Sequence, residues 1–287
     1  MALRELDVQR VLVVGAGTMG TGIAQVAARA GYQTELFDIV PGAAQRALER
    51  IAESLGRAVE KARCTAQERG EALGRLSLAG DLEAAAGAAD LLIEAAPEDL
   101  RLKQELFGSL SRAARPDAIL ASNTSSLPLT AIASAARHPG RVIGLHFFNP
   151  VPAMKLLEIV QGERTDPMVV TACRAVGARL GKEVVVVRDA PGFATSRLGI
   201  ALALEAMRMV EEGVASPEEI DRAIELGYGH PMGPLKLTDH VGLDVRLAIA
   251  EHLSAELGER FRPPQLLRRM VRAGKLGKKS GEGFYKY

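Results

Sequence analysis

Five histidines are spread along the 287 residues, and His146 ends a run that reads as a buried strand, Arg141-Val142-Ile143-Gly144-Leu145. An imidazole titrates near neutrality, so it can take a proton from a hydroxyl and give it back. Position separates His146 from the other four. His138 and His230 each precede a proline in a loop, and His240 and His252 fall in helical patterns of the second half. Open α/β sheets bind their ligands at the carboxyl ends of the strands, where His146 stands. Twelve residues on, Glu158 lies among Leu156, Leu157, Ile159 and Val160. A carboxylate in so apolar a run must find a partner or be neutralised. If Pro150 and Pro152 turn its strand back beside the histidine, Glu158 can fix the tautomer and stabilise the imidazolium. It can equally face outward on an edge strand, and spacing alone leaves both readings open. Ser125, in the polar cluster Asn123-Thr124-Ser125-Ser126 that follows another apparent strand, and Asn149, just past the histidine, supply further groups able to hold a reacting oxygen. A Ser-His-Glu set also suggests a hydrolase, but the chain has no G-x-S-x-G elbow to expose a nucleophile.

The strongest pattern lies earlier. Val11-Leu12-Val13-Val14 runs into Gly15-Ala16-Gly17-Thr18-Met19-Gly20, an Ala-rich helical stretch follows, and Thr34-Glu35-Leu36-Phe37 ends in Asp38, eighteen residues past Gly20. This is the β-α-β unit that binds dinucleotides. Gly15 serves the tight turn, Gly17 the approach of a pyrophosphate, and Gly20 the close packing of helix and strand. Thr18 and Met19 lie within the turn, and the helix read over residues 21–30 offers its first N–H groups and positive dipole end to the phosphates. An acid at Asp38 can bond both adenosine ribose hydroxyls and repels a 2′-phosphate. Ile39 and Val40 follow it, with no Arg or Lys to accept one. The expected cofactor is NAD, which makes hydride transfer the expected chemistry and gives His146 a hydroxyl proton to accept. Ser125 then reaches the substrate oxygen or the nicotinamide ribose.

These side chains need a scaffold. The length suggests about two domains. Apparent strands at residues 90–94, 118–122, 141–145, 154–160 and 181–187 alternate with helices, one of them over 166–180. That alternation implies a Rossmann-type, doubly wound, mostly parallel α/β sheet over residues 1–187. No strand follows Val187; residues 193–212 read as one long helix, Ser216-Pro217-Glu218-Glu219 as a helix start, and 188–287 as an all-helical domain. The helix after Pro41-Gly42 carries Arg46, Arg50, Arg57 and Lys61 opposite its apolar face, a surface that is merely solvated or receives the phosphates of a large anionic substrate. Net charge is +1 and there is no Trp, which gives no support to nucleic-acid binding. No apolar run reaches membrane-spanning length, and the charged N-terminal heptapeptide is unlike a signal peptide. Cys64 and Cys173 sit in helical patterns without metal-ligand or disulfide spacing, so no metal and a cytoplasmic location are expected.

The chain resembles the short-chain L-3-hydroxyacyl-CoA dehydrogenases, the bacterial 3-hydroxybutyryl-CoA dehydrogenase branch in particular, over nearly its whole length. The resemblance is carried by Gly15–Gly20, Ser122-Asn123-Thr124-Ser125-Ser126, Gly144-Leu145-His146-Phe147-Phe148-Asn149-Pro150-Val151-Pro152, Pro191-Gly192-Phe193, Pro231-Met232-Gly233-Pro234 and the tail Gly281–Tyr287. It implies NAD-dependent, reversible oxidation of a (3S)-3-hydroxyacyl-CoA by a His146–Glu158 pair, with Ser125 and Asn149 at substrate and cofactor. It also implies that Glu98, Lys103 and Lys279 lie at or near NAD, and Ser54 and Lys61 near coenzyme A. The family often has Asn three residues after Pro-Gly-Phe, holding substrate near the histidine; here Ser196 stands there, with a shorter reach. A homodimer through the helical domain is the implied assembly. The alternatives are a same-fold enzyme for a dicarboxylic 3-hydroxyacyl-CoA such as 3-hydroxyadipyl-CoA, one for a free hydroxy or sugar acid, and a catalytically silent NAD-binding protein.

Overall fold

A computed structural model of the chain describes residues 7–287. Of the N-terminal heptapeptide considered above, all but Asp7 lies outside them. Two compact units are present, one ending at Asp189 and the other beginning at Ala190.

The first unit alternates strands and helices: β1 (Arg10–Val14), α1 (Thr18–Arg29), β2 (Gln33–Phe37), α2 (Ala43–Glu60), α3 (Ala66–Gly74), β3 (Leu76–Leu78), α4 (Leu82–Ala88), β4 (Leu91–Glu94), α5 (Leu100–Ala113), β5 (Ile119–Ser122), α6 (Leu129–Ala133), β6 (Val142–Phe147), β7 (Leu156–Gln161), α7 (Pro167–Arg179) and β8 (Glu183–Arg188). The eight strands form one sheet in the order β3-β2-β1-β4-β5-β6-β7-β8. Chain order reverses between β1 and β4, which opens a crevice at their carboxyl ends. β4, β5 and β6 are buried along their full length, as their unbroken apolar runs require of strands covered on both faces. α2 buries only Ala47, Ile51 and Leu55, four residues apart, and leaves its charged face to solvent.

The doubly wound architecture is the expected one, with one reversal inside it. Every pairing is parallel except β6 with β7. β7 starts at Leu156 rather than Met154 and is not an edge strand, because β8 pairs along its outer side. Two short helices, α4 and α6, had no readable pattern; α4 is Ala-rich and marked chiefly by Asp81, whose carboxylate accepts from Ala84 N at 2.7 Å. Cys64 lies in the turn between α2 and α3, not in a helix, while Cys173 is buried within α7.

The second unit is helical throughout: α8 (Thr195–Glu211), α9 (Pro217–Tyr228), α10 (Pro234–Val241), α11 (Leu243–Leu257) and α12 (Gln265–Arg272). They pack around Ile200, Leu204, Met207, Leu235, Leu243, Leu253 and Leu267. Ser216 and Glu219 close the expected capping box at the start of α9. Two buried aspartates explain the glycine- and proline-rich motifs of this half. Asp221 accepts from Leu235 N and Lys236 N at 2.8 Å each and from the Tyr285 hydroxyl at 2.7 Å. A Cβ on Gly233 would stand 2.2 Å from that side chain. Asp239 accepts from Phe284 N and Tyr285 N at 2.9 Å each. A Cβ on Gly283 would stand 2.2 Å from its Oδ1. The tail therefore closes on Asp239, and the turn before α10 closes on Asp221.

Asp221→Ala strands two backbone donors, one of them buried, and leaves the Tyr285 hydroxyl only the Pro217 carbonyl at 3.1 Å. It is expected to destabilise the chain by roughly 3 kcal/mol, read as a lowered midpoint in urea unfolding. An unchanged midpoint would remove Asp221 from the account of this unit.

Candidate active site

The glycine turn lies between β1 and α1. Gly15 has φ +106°, and a Cβ there would meet Ala95 O at 2.6 Å; on Gly20 it would overlap Gly15 O at 1.7 Å. Both are fixed by the protein's own packing. Gly17 is different. Its φ is −67°, open to any residue, and a Cβ there would have no atom within 4 Å. Nothing in the protein requires this glycine, and the space above it is the cradle a pyrophosphate needs. Gly17 is also the N-cap of α1 without a side-chain cap, so the first N–H groups of Thr18 and Met19 have no capping side chain.

Asp38 follows β2 and braces this turn: its Oδ2 accepts from Ala16 N at 2.6 Å and its Oδ1 from Val40 N at 2.8 Å. Each oxygen keeps a second lone pair for a ribose hydroxyl. Arg50 of α2 holds the other side, donating to Ala16 O at 3.0 Å and Thr21 Oγ1 at 3.2 Å. The sequence placed this arginine only on a charged helix face. A cleft of about 530 Å³ runs past Gly15, Gly17, Met19, Asp38 and Pro97, with Ile39, Val40, Leu102 and Leu106 as further lining. Ile39 is 88% exposed, an apolar face suited to a planar base. These residues fit NAD.

Beneath the cleft lies a buried ionic network. Glu94, the last residue of β4, accepts from Lys103 Nζ at 2.5 Å, Ser122 Oγ at 2.6 Å and Ala96 N at 2.6 Å. Glu94 and Lys103 are each 1% exposed. Lys103 also donates to Ala96 O at 3.2 Å and lies 3.5 Å from Glu98. It therefore holds the two acids Glu94 and Glu98 in place from a buried position. Sequence reasoning passed over Glu94; the available signal was an acid ending an otherwise apolar strand, the same signal that marked Glu158. Glu98 accepts from the Thr124 hydroxyl at 2.6 Å and from Ser125 N at 2.9 Å, with Ser126 N and both serine hydroxyls at 3.2–3.3 Å. Burial pushes its carboxyl up, but the Thr124 bond, the Lys103 charge and the serine contacts outweigh it and hold the pKa below the usual value.

At the end of β6, His146 stands directly opposite Glu158 of β7. His146 Nδ1 and Glu158 Oε2 are 2.7 Å apart, with Glu158 fully buried and His146 6% exposed. The ring packs on Phe148, centroids 4.4 Å apart. A carboxylate on Nδ1 assigns the hydrogen there and the lone pair to Nε2. Asn123 Oδ1 accepts from Phe147 N at 3.0 Å, tying the end of β5 to the end of β6. Asn149 is exposed just beyond.

The remaining sequence candidates lie on other elements. Ser54 lies on α2 and Lys61 caps its C-terminus seven residues on, in line with Arg50 and Arg57. In the helical unit, Lys279 pairs with Asp244 at 2.6 Å, and Ser196 is half-buried in the first turn of α8. Among the described residues no group of three or more His, Cys, Asp or Glu could hold a metal ion.

A glycine turn at the switch point of a parallel sheet, an acid after the second strand and an apolar cleft between them make the first unit a dinucleotide-binding domain, followed in this chain by a helical one. Residues 10–190 match the NAD-binding domain of 3-hydroxyacyl-CoA dehydrogenase, and residues 192–287 match its C-terminal domain. The chain belongs to the 3-hydroxyacyl-CoA dehydrogenase family. It is 47% identical to a 3-hydroxybutyryl-CoA dehydrogenase of Mycobacterium tuberculosis, over 98% of this chain and 99% of the relative. A probable 3-hydroxybutyryl-CoA dehydrogenase of Bacillus subtilis is 46% identical over 98% of each. The crystal structure of (S)-3-hydroxybutyryl-CoA dehydrogenase from Ralstonia eutropha superposes with a TM-score of 0.94 at 40% identity, covering 98% of this chain and 99% of that one.

Two predictions follow from the turn and the network. Gly17→Val should leave the unfolding midpoint of the unliganded protein unchanged and weaken NADH binding at least tenfold, by fluorescence titration; unchanged affinity would place the pyrophosphate elsewhere. Because the Glu98 pKa is lowered from 4.5 on folding, its contribution to stability is complete above pH 4.5 and is lost as pH falls through the folded value. Glu98→Gln should therefore flatten the fall of urea midpoint with acidification below pH 4.5; an identical slope in both proteins would contradict this.

Proposed function

We propose that this chain oxidises short-chain (3S)-3-hydroxyacyl-CoA thioesters, 3-hydroxybutyryl-CoA among them, to 3-oxoacyl-CoA, reversibly and with NAD. The His146–Glu158 contact carries this reading, because alcohol oxidation needs a base and this is a buried imidazole with a fixed tautomer at the ligand-binding end of the sheet. NAD supplies the hydride acceptor when bound. His146 Nε2 takes the hydroxyl proton, and Glu158 balances the imidazolium that forms. Ser125, held by Glu98, and Asn149 orient the reacting oxygen. Gly15, Gly17, Thr18, Met19 and Gly20 hold the pyrophosphate and Asp38 the ribose. Glu98 and Lys103 shape the wall beside the cofactor, and Lys279 adds a positive charge near it. Ser54 and Lys61 take the coenzyme A portion along the basic stripe of α2.

A homodimer through the helical unit is supported by its exposed apolar side chains, Leu198, Val214, Leu226 and Tyr228, each at least 60% exposed. No helix among the described residues is long and apolar enough to cross a membrane. Two cysteines without disulfide partners suit a reducing compartment, and we place the enzyme in the cytoplasm.

His146→Gln keeps a polar ring-sized group but no base. It is expected to lower kcat by about 10²–10⁴-fold with acetoacetyl-CoA and NADH, while NADH affinity stays within twofold. Full turnover in this variant would remove His146 from the reaction.

A further inference from the structure

Lys182 stands between α7 and β8, half-buried. Its Nζ donates to Val151 O at 2.6 Å and to Met154 O at 2.7 Å, 31 and 28 residues earlier in the chain. Both carbonyls belong to the turn between β6 and β7. Burial lowers the lysine pKa from its usual 10.5, the direction expected for a cation drawn out of water. Turn carbonyls at a surface can be solvated by water, so this desolvated ammonium serves geometry rather than solvation. Hydrogen bonds from a charged donor are stronger than neutral ones, and two of them from one atom close the turn across its base.

The same turn is held from a second side. Val151 is 2% exposed within the core of the first unit. A Cβ built on Gly22 of α1 would stand 2.8 Å from Val151 Cβ. A glycine inside a helix costs conformational freedom, and here it makes room for the turn. Within the turn, Pro150 O accepts from Ala153 N at 2.9 Å and from Met154 N at 3.0 Å. Glu183, next to Lys182, donates its N–H to Lys155 O at 2.8 Å and pairs with Leu156, the first residue of β7. The two carbonyls on Nζ therefore flank the strand reversal. Val151 is five residues past His146, and Met154 is four before Glu158.

We infer that Lys182 is a positioning residue for the reaction: by holding Val151 and Met154 it fixes the turn that returns β7 along β6, and so seats Glu158 against His146. It acts through Glu158 and not on the reacting atoms. Its kinetic consequence rests on the reading of His146 as the base in alcohol oxidation, where small displacements of a reacting group are costly.

The test has a kinetic arm and one that needs no substrate. With acetoacetyl-CoA and NADH, Lys182→Met should lower kcat at least tenfold while NADH affinity stays within twofold. Lys182→Arg keeps the charge and its donors and should recover most of the loss. In a Glu158→Gln background, Lys182→Met should cost less than threefold, because the two residues act as one unit. Equal losses in the two backgrounds, or a kcat for Lys182→Met within threefold of wild type, overturn the proposal. If Lys182→Met does not fold, Gly22→Ala, which presses on Val151 from α1, takes its place in the same comparison. In the second arm, amide hydrogen exchange of Lys182→Met should be at least tenfold faster over residues 148–161 and unchanged elsewhere in the first unit. Unchanged exchange in that segment, or faster exchange throughout, overturns the proposal. Faster exchange there in a protein whose wild type turns over no hydroxyacyl thioester would instead refute the reaction and leave the clamp standing, so the two failures are distinguishable.

Discussion

The candidate chemistry depends on β7 running against β6 in a sheet that is otherwise parallel. That reversal sets Glu158 opposite His146, Nδ1 to Oε2 at 2.7 Å, with no side chain between them. Each group needs the other. A fully buried carboxylate without a donor would be driven to its neutral form, and an imidazole without an acceptor would have no preferred tautomer. A parallel return to the neighbouring position would demand a crossover of a dozen or more residues. The chain covers the distance from Phe147 to Leu156 in eight, through a turn that holds Pro150 and Pro152. The spacing of His146 and Glu158 in the sequence is thus a consequence of strand direction.

A second layer of constraint lies at the ends of β4 and β5. Glu94 gathers an ammonium, a hydroxyl and a backbone N–H, and Lys103 passes the tie on to Glu98, which holds the loop of Ser125 and Ser126. Charges this deeply buried contribute little net stability against an apolar alternative. Their effect is geometric: the loop of Ser125 and Ser126 is fixed to the rigid centre of the sheet, as precise positioning of a reacting group requires. The two acids have different tasks. Glu94 is sealed within the sheet, and the side chain of Glu98 is 38% exposed.

The glycine turn was legible from the sequence because steric exclusion acts within a few residues; Gly15 and Gly20 have neighbours that forbid a Cβ, and Gly17 has none. His146 was legible because an unbroken apolar run pointed to a buried strand with the histidine at its end. The partnership of Glu158 was not, since pairing direction is set by the turn between strands and by β8 covering β7, neither of which has a local signature. Helices α4 and α6 escaped notice for a related reason: seven and five residues are too few to show a helical period. The network under the cleft joins residues up to 28 apart, and only the folded chain reveals that an acid, a lysine and a serine meet there. Cys64 read as helical because apolar residues recur at helical spacing up to Ala62, yet α2 ends before it.

The two thiols differ in a way that bears on handling and labelling. Cys173 lies wholly within the core of the first unit, and burial pushes its thiol up to about 12, so almost none of it is thiolate at neutral pH and oxidants have no path to it. Cys64 sits half-exposed in the turn after α2, three residues beyond Lys61. A maleimide dye will therefore mark the native protein at one place, on the rim where the basic stripe of α2 ends, giving an optical reporter for whatever docks along that stripe without any engineered cysteine.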